Sequence, residues 1–231
     1  SLTSIRMLLQ LLSETEYLQA SERESVAVAL NSFERIEQVV NDLLQLARPA
    51  ALDRKTGDIN TILEESIDLS RHHVSKKGIE VVHDLAPELP ALRLDSHYIK
   101  EAFINLILNA TQAIDGKGKI TFCTAQKKLP QKLRDLGEIH TRTPGDEAIG
   151  VREIVLKKGA QVVSVQISDS GGGIAEAHQQ RIFDPFFTTK VNGTGLGLSF
   201  VKRVVNEHGG IVSVKSEPGK GSTFTLTFPV E

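Results

Sequence analysis

The chain has 231 residues, of which 40% are hydrophobic and 24% are charged, and its formal net charge is -2. This length allows one or two domains that each bury a core, and the near-neutral charge excludes broad electrostatic attraction to nucleic acid or an anionic membrane. Apolar runs are shorter than the about 20 residues that span a bilayer, and no signal-peptide pattern is present, so we expect a soluble protein or the soluble part of a larger one. The single cysteine, Cys123, fits a reducing cytoplasm and is expected to be a buried structural thiol rather than a nucleophile.

The first predicted unit, residues 1–48, is a pair of helices. Between Leu2 and Ala47 the apolar residues recur at steps of three and four, and the stretch TEYLQASERE interrupts them. This narrow seam is of the coiled-coil type and predicts an antiparallel helical hairpin. Because such a hairpin buries little surface alone, we expect a homodimer whose helices form a four-helix bundle. The alternative is that both helices pack on the chain's own globular domain.

A linker is predicted at 49–57, where ARPAALDRKTGD supplies proline, glycine and charge. The region 58–231 mixes helices with mainly antiparallel strands, which indicates an α+β fold in the form of a two-layer α/β sandwich. Helices are predicted at 58–76, at 96–114 and over GLSFVKRVVNEHG, and strands over GIEVVHDL, KITFCTA, VREIVLKK, AQVVSVQIS, GIVSVKS and STFTLTF, with a short segment at ALRLD.

The segment 126–150 is polar and lies between two predicted strands. We expect an irregular surface insertion, because long connections are tolerated at little entropic expense. The alternative is a loop that binds a partner.

One helix carries a stripe of polar residues. Glu101, Asn105 and Asn109 lie four residues apart and therefore share one face of a helix. Asparagine oxygens are neutral, hard ligands that suit a hydrated magnesium ion bridging phosphates, and Glu101 has the chemistry of a general base. The alternative is a solvated polar face without a ligand.

Two glycine clusters flank an aromatic segment. Asp169 ends a predicted strand and precedes Gly171, Gly172 and Gly173, so its carboxylate can accept from an exocyclic amine such as adenine N6, and the glycines let the base approach the backbone. The second cluster, GTGLGL, opens a helix whose backbone N–H groups can bind a triphosphate. Lys190 lies just upstream and is able to reach the phosphates. Either pattern alone also occurs in turns that bind nothing.

Residues 95–227 resemble the ATP-binding domain of sensor histidine kinases, members of the GHKL ATPase superfamily with the Bergerat fold. The similarity covers five motifs in order: EAFINLILNATQA, DSGGG, FDPFFTTK, GTGLGL and GKGSTFTLTFP. The resemblance implies that ATP and Mg²⁺ are the cofactors. It also implies that Asn105 is the metal ligand, Glu101 the candidate base and Asp169 the adenine anchor beside Gly171 and Gly173. The other implied residues are Asn109 by the phosphates, Phe183, Phe186 and Phe187 packing and hinging a lid at about 184–194, and the nucleotide contacts Lys190, Gly193, Thr194, Gly195, Leu196, Gly197 and Thr223.

One position departs from the pattern of this family. Gln112 stands where many members carry a basic residue. Phosphate neutralisation is therefore expected to depend more on Lys190.

The N-terminal hairpin is similar to the dimerisation and histidine-phosphotransfer region of the same kinases. SLTSIR resembles the run that follows the phosphoacceptor histidine, which is then expected about five residues before Ser1. None of the seven histidines begins a matching motif, so we expect truncation rather than natural loss and a chain that binds ATP without phosphorylating itself. The resemblance implies a cytoplasmic histidine kinase core, of a sensor that is membrane-anchored or not, with a response-regulator receiver domain as partner and no nucleic acid. The alternatives are a GHKL ATPase of the gyrase B or MutL branch and a degenerate ATP-binding scaffold.

Overall fold

The computed structural model describes residues 2–13, 15, 19–47, 52–143, 146–190 and 193–230. The helices within these residues are α1 (Leu2–Ser13), α2 (Ala20–Ala47), α3 (Ile59–Lys76), α4 (Ser96–Ala113), α5 (Glu176–Gln179) and α6 (Gly197–Glu207). The strands are β1 (Lys55–Gly57), β2 (Glu80–Asp84), β3 (Leu92–Leu94), β4 (Lys119–Lys128), β5 (Leu133–Thr143), β6 (Asp146–Leu156), β7 (Gln161–Asp169), β8 (Ile211–Glu217) and β9 (Gly221–Pro229). None of these described helices is both long and apolar enough to cross a membrane.

The two N-terminal helices form the predicted hairpin. An ion pair joins them, with Arg6 Nη1 at 3.7 Å from Glu37 Oε2. Helix α2 begins at Ala20, inside the stretch predicted as an interruption, because Glu22 accepts a hydrogen bond of 2.8 Å from the Gln19 backbone N–H and caps the first turn. Large apolar side chains remain exposed on both helices: Ile5, Met7, Leu8, Leu11, Leu12, Val28 and Ile36.

The larger unit is a two-layer sandwich of one mixed sheet and the helices α3, α4 and α6, which confirms the predicted α+β class. The five strands lie in the order β2-β4-β7-β9-β8, with β2 and β4 parallel and the other neighbours antiparallel. Alternate side chains of a strand point to the same side, so each strand contributes every second residue to the core. These residues include Ile120, Phe122, Val163, Val165, Ile167, Phe224, Leu226 and Phe228, which pack with Phe103, Leu106, Ile107, Val201 and Val204 from the helices.

Short-range capping fixes the ends of the three long helices of the sandwich. Asp58 accepts from the Asn60 N–H at 2.9 Å and begins α3, and Asp95 accepts from the N–H groups of His97 and Tyr98 and begins α4. Helix α6 ends where Gly209 takes a φ of 71°, a left-handed conformation that stops a helix. This end agrees with the sequence prediction.

The end of the predicted linker pairs with the sandwich. Strand β1 forms an antiparallel pair with β3, with Lys55 opposite Leu94 and Gly57 opposite Leu92. Three residues are too few to show a strand pattern, so the sequence does not reveal β1. The boundary at 57 remains a prediction, although the chain is already held by the sandwich at residue 55.

The expectation of an irregular insertion at 126–150 is wrong for the described part of that segment. Strand β4 continues to Lys128, and β5 and β6 form an antiparallel ribbon from the pair Leu133–Leu156 to the pair Thr143–Asp146. Backbone hydrogen bonds along the ribbon stabilise it, and its polar sequence gives little hydrophobic alternation from which to predict it. The ribbon also contacts α6 through Lys202 Nζ, 3.0 Å from Asp135 Oδ1.

A polar cluster joins the chain before β1 to the distal ends of α4 and α6. The Asp53 N–H donates to Asp95 Oδ2 at 2.9 Å, and Arg54 donates to the backbone oxygen of Glu207. The Asp95 N–H donates to His208 Nε2 at 2.9 Å, while His208 Nδ1 lies 2.7 Å from the Val204 oxygen. The His208 ring is therefore neutral, with its proton on Nδ1.

Protonation of His208 is expected to destabilise the fold below neutral pH. Burial lowers the pKa of His208, against the raising effect of its bond to Val204. The unfolded chain then takes up this proton first as the pH falls below about 6.5, so the free energy of unfolding drops by at most about 1.4 kcal/mol per pH unit. Chemical denaturation at pH 7.5 and 5.5 measures this loss, and the variant His208→Gln should show less of it.

Candidate functional site

Helix α4 places the predicted polar stripe beside the first turn of α6 and the loop that carries Lys190, a region that we call the cleft. Its apolar face is buried in the core, so Glu101, Asn105 and Asn109 lie on the opposite, half-buried side. Asn105 Nδ2 donates to the Glu101 backbone oxygen at 3.0 Å, which turns Oδ1 away from the helix. His97 Nε2 lies 3.5 Å from Glu101 Oε1. The stripe is therefore ordered with the asparagine oxygen available to a ligand.

The first turn of α6 faces this stripe. A Cβ added at Gly197 would lie 2.8 Å from Asn105 Oδ1 and 4.0 Å from Asn109 Nδ2. Gly197 has no room for a side chain and therefore lets the first turn of α6, with its N-terminal N–H groups, lie close to the stripe. Those N–H groups and the helix dipole favour an anion there.

Asp169 forms the other end of the cleft, at the end of β7. Its side chain is 8% exposed, and Oδ1 accepts from the Gly171 N–H at 2.8 Å. Burial raises the pKa of Asp169, against the lowering effects of backbone hydrogen bonds from Gly171 and Ser222 and of the Lys190 charge. Thr223 follows Ser222 on β9 and shares a 2.9 Å hydrogen bond with Ser168. A buried acceptor of this kind suits a ligand that brings its own N–H donor.

The glycines after Asp169 pack directly on backbone. A Cβ at Gly171 would lie 2.5 Å from the Ala113 oxygen, and one at Gly173 would lie 2.2 Å from the Glu217 oxygen. Gly173 also has a φ of 70°, where a side chain is strained. These contacts hold the turn against the end of α4, and so fix Asp169 relative to the asparagines.

A pair of glycine substitutions tests the close packing of this turn. We expect Gly171→Ala to lower the free energy of unfolding by about 1–3 kcal/mol, because its methyl group overlaps the Ala113 oxygen and lies 2.8 Å from Asp169 Oδ1. Gly172→Ala is the matched control, since a Cβ there meets nothing within 4 Å. Denaturant unfolding of both variants measures the difference, and equal losses would contradict it.

The aromatic segment before the second glycine cluster packs less completely than predicted. Phe183 contacts Phe224 edge-on at 6.4 Å between ring centroids, and Phe187 contacts His178 at 5.6 Å. The prediction that Phe186 packs is wrong, because its side chain is 63% exposed. Its φ of 66° points the ring outward and places its backbone against Gly195, where a Cβ would lie 2.4 Å from the Phe186 carbonyl carbon.

The described residues of the second glycine cluster make different packing contacts. A Cβ at Gly193 would lie 2.3 Å from Thr188 Oγ1. The absence of a side chain at Gly193 therefore lets two parts of the predicted lid pack against each other. The Leu196 N–H donates to Thr194 Oγ1 at 3.3 Å, and the Leu196 side chain is 1% exposed. Leu196 thus anchors the start of α6 through its burial, and only its backbone is placed to meet a ligand.

Lys190 crosses from the lid to α4. Its Nζ lies 2.9 Å from Asn109 Oδ1 and 2.6 Å from Gln112 Oε1. Desolvation lowers the pKa of Lys190, whereas the charge of Asp169 raises it. The contact closes the cleft on one side and brings a positive charge between the two predicted ends of the nucleotide site.

Two residues near the cleft lie outside the predicted set. Gln112 appears in the sequence only as a departure from the family pattern, and its contact with Lys190 spans 78 positions of the chain. Lys77 lies beyond the end of α3, and its Nζ donates to the backbone oxygens of Thr111 and Ile114, each at 2.9 Å. A lysine next to a helix-ending glycine gives no sequence signal for a contact with another helix.

The geometry agrees with comparisons to known protein families. Residues 94–231 match the model described as Histidine kinase-, DNA gyrase B-, and HSP90-like ATPase, which is more than half of the chain. The chain belongs to this ATPase family. Residues 1–52 match the His Kinase A (phospho-acceptor) domain, so this ATPase chain also carries the other domain of a histidine kinase catalytic core. Both matches confirm the resemblance seen in the sequence.

Relatives of this histidine kinase core extend over its whole length. It is 31% identical over 229 residues to the sensor histidine kinase ZraS of Klebsiella oxytoca, an alignment that covers 99% of the chain and 43% of ZraS. The full-length ShkA structure in complex with AMPPNP matches with a TM-score of 0.67 and 24% identity over 99% of the chain and 42% of ShkA. The structure of histidine kinase ThkA in complex with response regulator protein TrrA matches with a TM-score of 0.62 and 22% identity. This match covers 99% of the chain and 56% of the matched chain. At these identities the two structures show the fold alone, and the chain spans less than half the length of ZraS.

Proposed function

We propose that this chain is the catalytic core of a two-component sensor histidine kinase. It binds ATP with magnesium, transfers the γ-phosphoryl group to a histidine of its full-length protein and passes the group on to an aspartate of a response regulator. One observation supports this most strongly: a single cleft contains the asparagine stripe of α4, the buried Asp169 and the glycine-lined start of α6, with Lys190 beside them.

In this proposal Asp169 accepts a hydrogen bond from the adenine amine. The base lies beside the turn of Gly171 and Gly173, whose close packing on neighbouring backbone fixes the position of Asp169, with Thr223 near the same end. The phosphates extend toward Asn109 and the N–H groups at the start of α6. Lys190 neutralises part of their charge, because its ammonium already lies beside Asn109.

The residues of the cleft fit a magnesium ion. Asn105 Oδ1 points toward Gly197 and offers the neutral oxygen that Mg²⁺ accepts when phosphates and water supply its other ligands. When bound, the ion supplies charge neutralisation at the transferring phosphoryl group. Within the described residues no group of three or more histidine, cysteine, aspartate or glutamate side chains forms a separate metal site.

Glu101 is the candidate general base for the attacking group. It lies on the same face as Asn105, four residues before it, and its side chain is 27% exposed, so an incoming imidazole can reach it. The protein contributes mainly positioning and charge neutralisation to the transfer, because phosphoryl transfer requires little covalent chemistry from the enzyme.

The proposed partners follow from the hairpin and from a relative. Exposed Met7, Leu8 and Leu11 give α1 an apolar face that a second copy of the hairpin would bury, which supports a homodimer. ThkA has a structure with a response regulator, which supports a receiver domain as the partner of this chain. A cytoplasmic location belongs to the same proposal.

Calorimetric titration with ATP, with and without magnesium, tests the nucleotide site. A histidine-containing hairpin from the same kinase family, supplied in trans with radiolabelled ATP, then tests transfer. We expect binding that magnesium strengthens and acid-labile label on the hairpin. Hydrolysis to ADP without transfer would favour an ATPase of the gyrase B branch, and no binding by a folded sample would favour a degenerate scaffold.

A further inference from the structure

Gln112 and Asn109 together bind the ammonium of Lys190. They lie three residues apart on α4 and so share a face, and both offer side-chain oxygens to Nζ, at 2.6 Å and 2.9 Å. An ammonium carries three donors, and these two bonds leave one for a further acceptor. Lys190 is thus held at the mouth of the cleft by two neutral side chains, which use two of the three N–H donors of its ammonium.

The charges around this contact favour a Lys190 side chain that can turn from α4 to a ligand. Asp169 attracts the ammonium, and Lys77 repels it from the end of α4. Lys77 donates to two backbone oxygens, whereas both hydrogen-bond partners described for the Lys190 ammonium are side-chain oxygens. Neutral side-chain amides bind a cation more weakly than a phosphate does, so the Lys190 ammonium can exchange one of them for a phosphate oxygen.

We propose that Gln112 is a positioning residue for the phosphates of the nucleotide, because it holds Lys190 over the cleft before the ligand arrives. This rests on the proposed ATP site. A glutamine suits the role because its side-chain carbonyl accepts from the ammonium without adding a charge of its own. A methionine offers no such acceptor, and a lysine at 112 would repel Lys190.

The consequence is selectivity for phosphate charge. Gln112 acts on the phosphates only through the charge of Lys190, so its loss should weaken the binding of ATP and spare that of adenosine. We expect Gln112→Met to reduce ATP affinity about tenfold and to leave adenosine affinity within about twofold. Gln126→Met is the matched control, an exposed glutamine on β4.

A double-mutant cycle with Lys190→Gln separates positioning from a structural role. In the Lys190→Gln background, Gln112→Met should have no further effect on ATP affinity, because the charge that it positions is gone. The exchange variant, Gln112→Lys with Lys190→Gln, should recover part of the affinity, since it returns one positive charge to the same place. Additive losses, or equal losses for ATP and adenosine, overturn the proposal.

Hydrogen exchange of the ligand-free protein provides a readout that does not depend on nucleotide binding. The amides of Lys190 and Gly193 should exchange faster in Gln112→Met and at the original rate in Gln126→Met. If the original protein binds no ATP, the proposed function fails while this exchange difference still reports the contact. Unchanged exchange in Gln112→Met shows that the glutamine does not hold the lid, and the inference is then wrong.

Discussion

Replacing Asp169 with asparagine is expected to abolish useful ATP binding and to stabilise the ligand-free protein. Asparagine keeps the bond from the Gly171 N–H through Oδ1, but its NH₂ group then replaces the second carboxylate oxygen and meets the adenine amine donor to donor. The loss of this buried acceptor should lower ATP affinity on the order of 100-fold or more. Calorimetric titration measures it.

The stability half of this prediction follows from the direction of the Asp169 pKa. Because burial raises that pKa in the folded protein, the ionised carboxylate is less favourable there than in the unfolded chain. A neutral asparagine removes the penalty, so the melting temperature without nucleotide should rise at pH 7. As the pH falls and Asp169 takes up a proton, the gain should shrink.

A control and a contradictory outcome complete the test of Asp169. Asp68→Asn removes an exposed carboxylate on α3 that pairs with Arg71, and it should change neither ATP affinity nor stability by much. Asp169→Ala should also lose ATP affinity, through loss of the same acceptor. Unchanged titrations in both Asp169 variants would refute the adenine assignment.

Replacing Asn105 with alanine is expected to remove the magnesium dependence of the site. Adenine binding should remain nearly intact, because Asp169 is untouched and the only described hydrogen bond of the Asn105 side chain is to the Glu101 backbone oxygen. Magnesium should no longer strengthen ATP binding, and transfer to a supplied histidine should fall on the order of 100-fold or more. Titrations with and without magnesium, followed by transfer assays, measure both effects.

Asn105→Asp is the informative control for that variant. It keeps an oxygen ligand facing Gly197 and should therefore retain magnesium-dependent binding. If Asn105→Ala loses adenosine and ATP affinity equally, the residue supports the fold rather than the metal.

The sandwich and the elements of the site were predictable because their signals are local. Apolar periodicity locates α3, α4 and α6, and capping residues such as Asp58 and Asp95 mark their starts. Asn105 and Asp169 carry chemistry that neighbouring residues in the sequence already suggest. The roles given to them remain predictions until the variants are measured.

What the sequence missed depends on contacts between distant residues. Of the β5–β6 ribbon the sequence predicts only the strand VREIVLKK, because the rest is polar and is held by pairing between strands. The left-handed φ of Phe186 occurs where its backbone packs against Gly195, and the contact between Lys190 and Gln112 depends on how the lid folds back on α4. Such features follow only from the packed structure.

The cluster at Asp53 and Arg54 joins the segment before β1 to both helices that line the proposed nucleotide cleft. Asp53 is bonded to the N-cap of α4 and Arg54 to the end of α6, while the opposite regions of these two helices line the cleft. His208 ties the same two helix ends together. A twist of the hairpin that reaches residue 53 must therefore either break these bonds or displace α4 and α6 together. In the second case this short segment moves both helices that line the cleft at once.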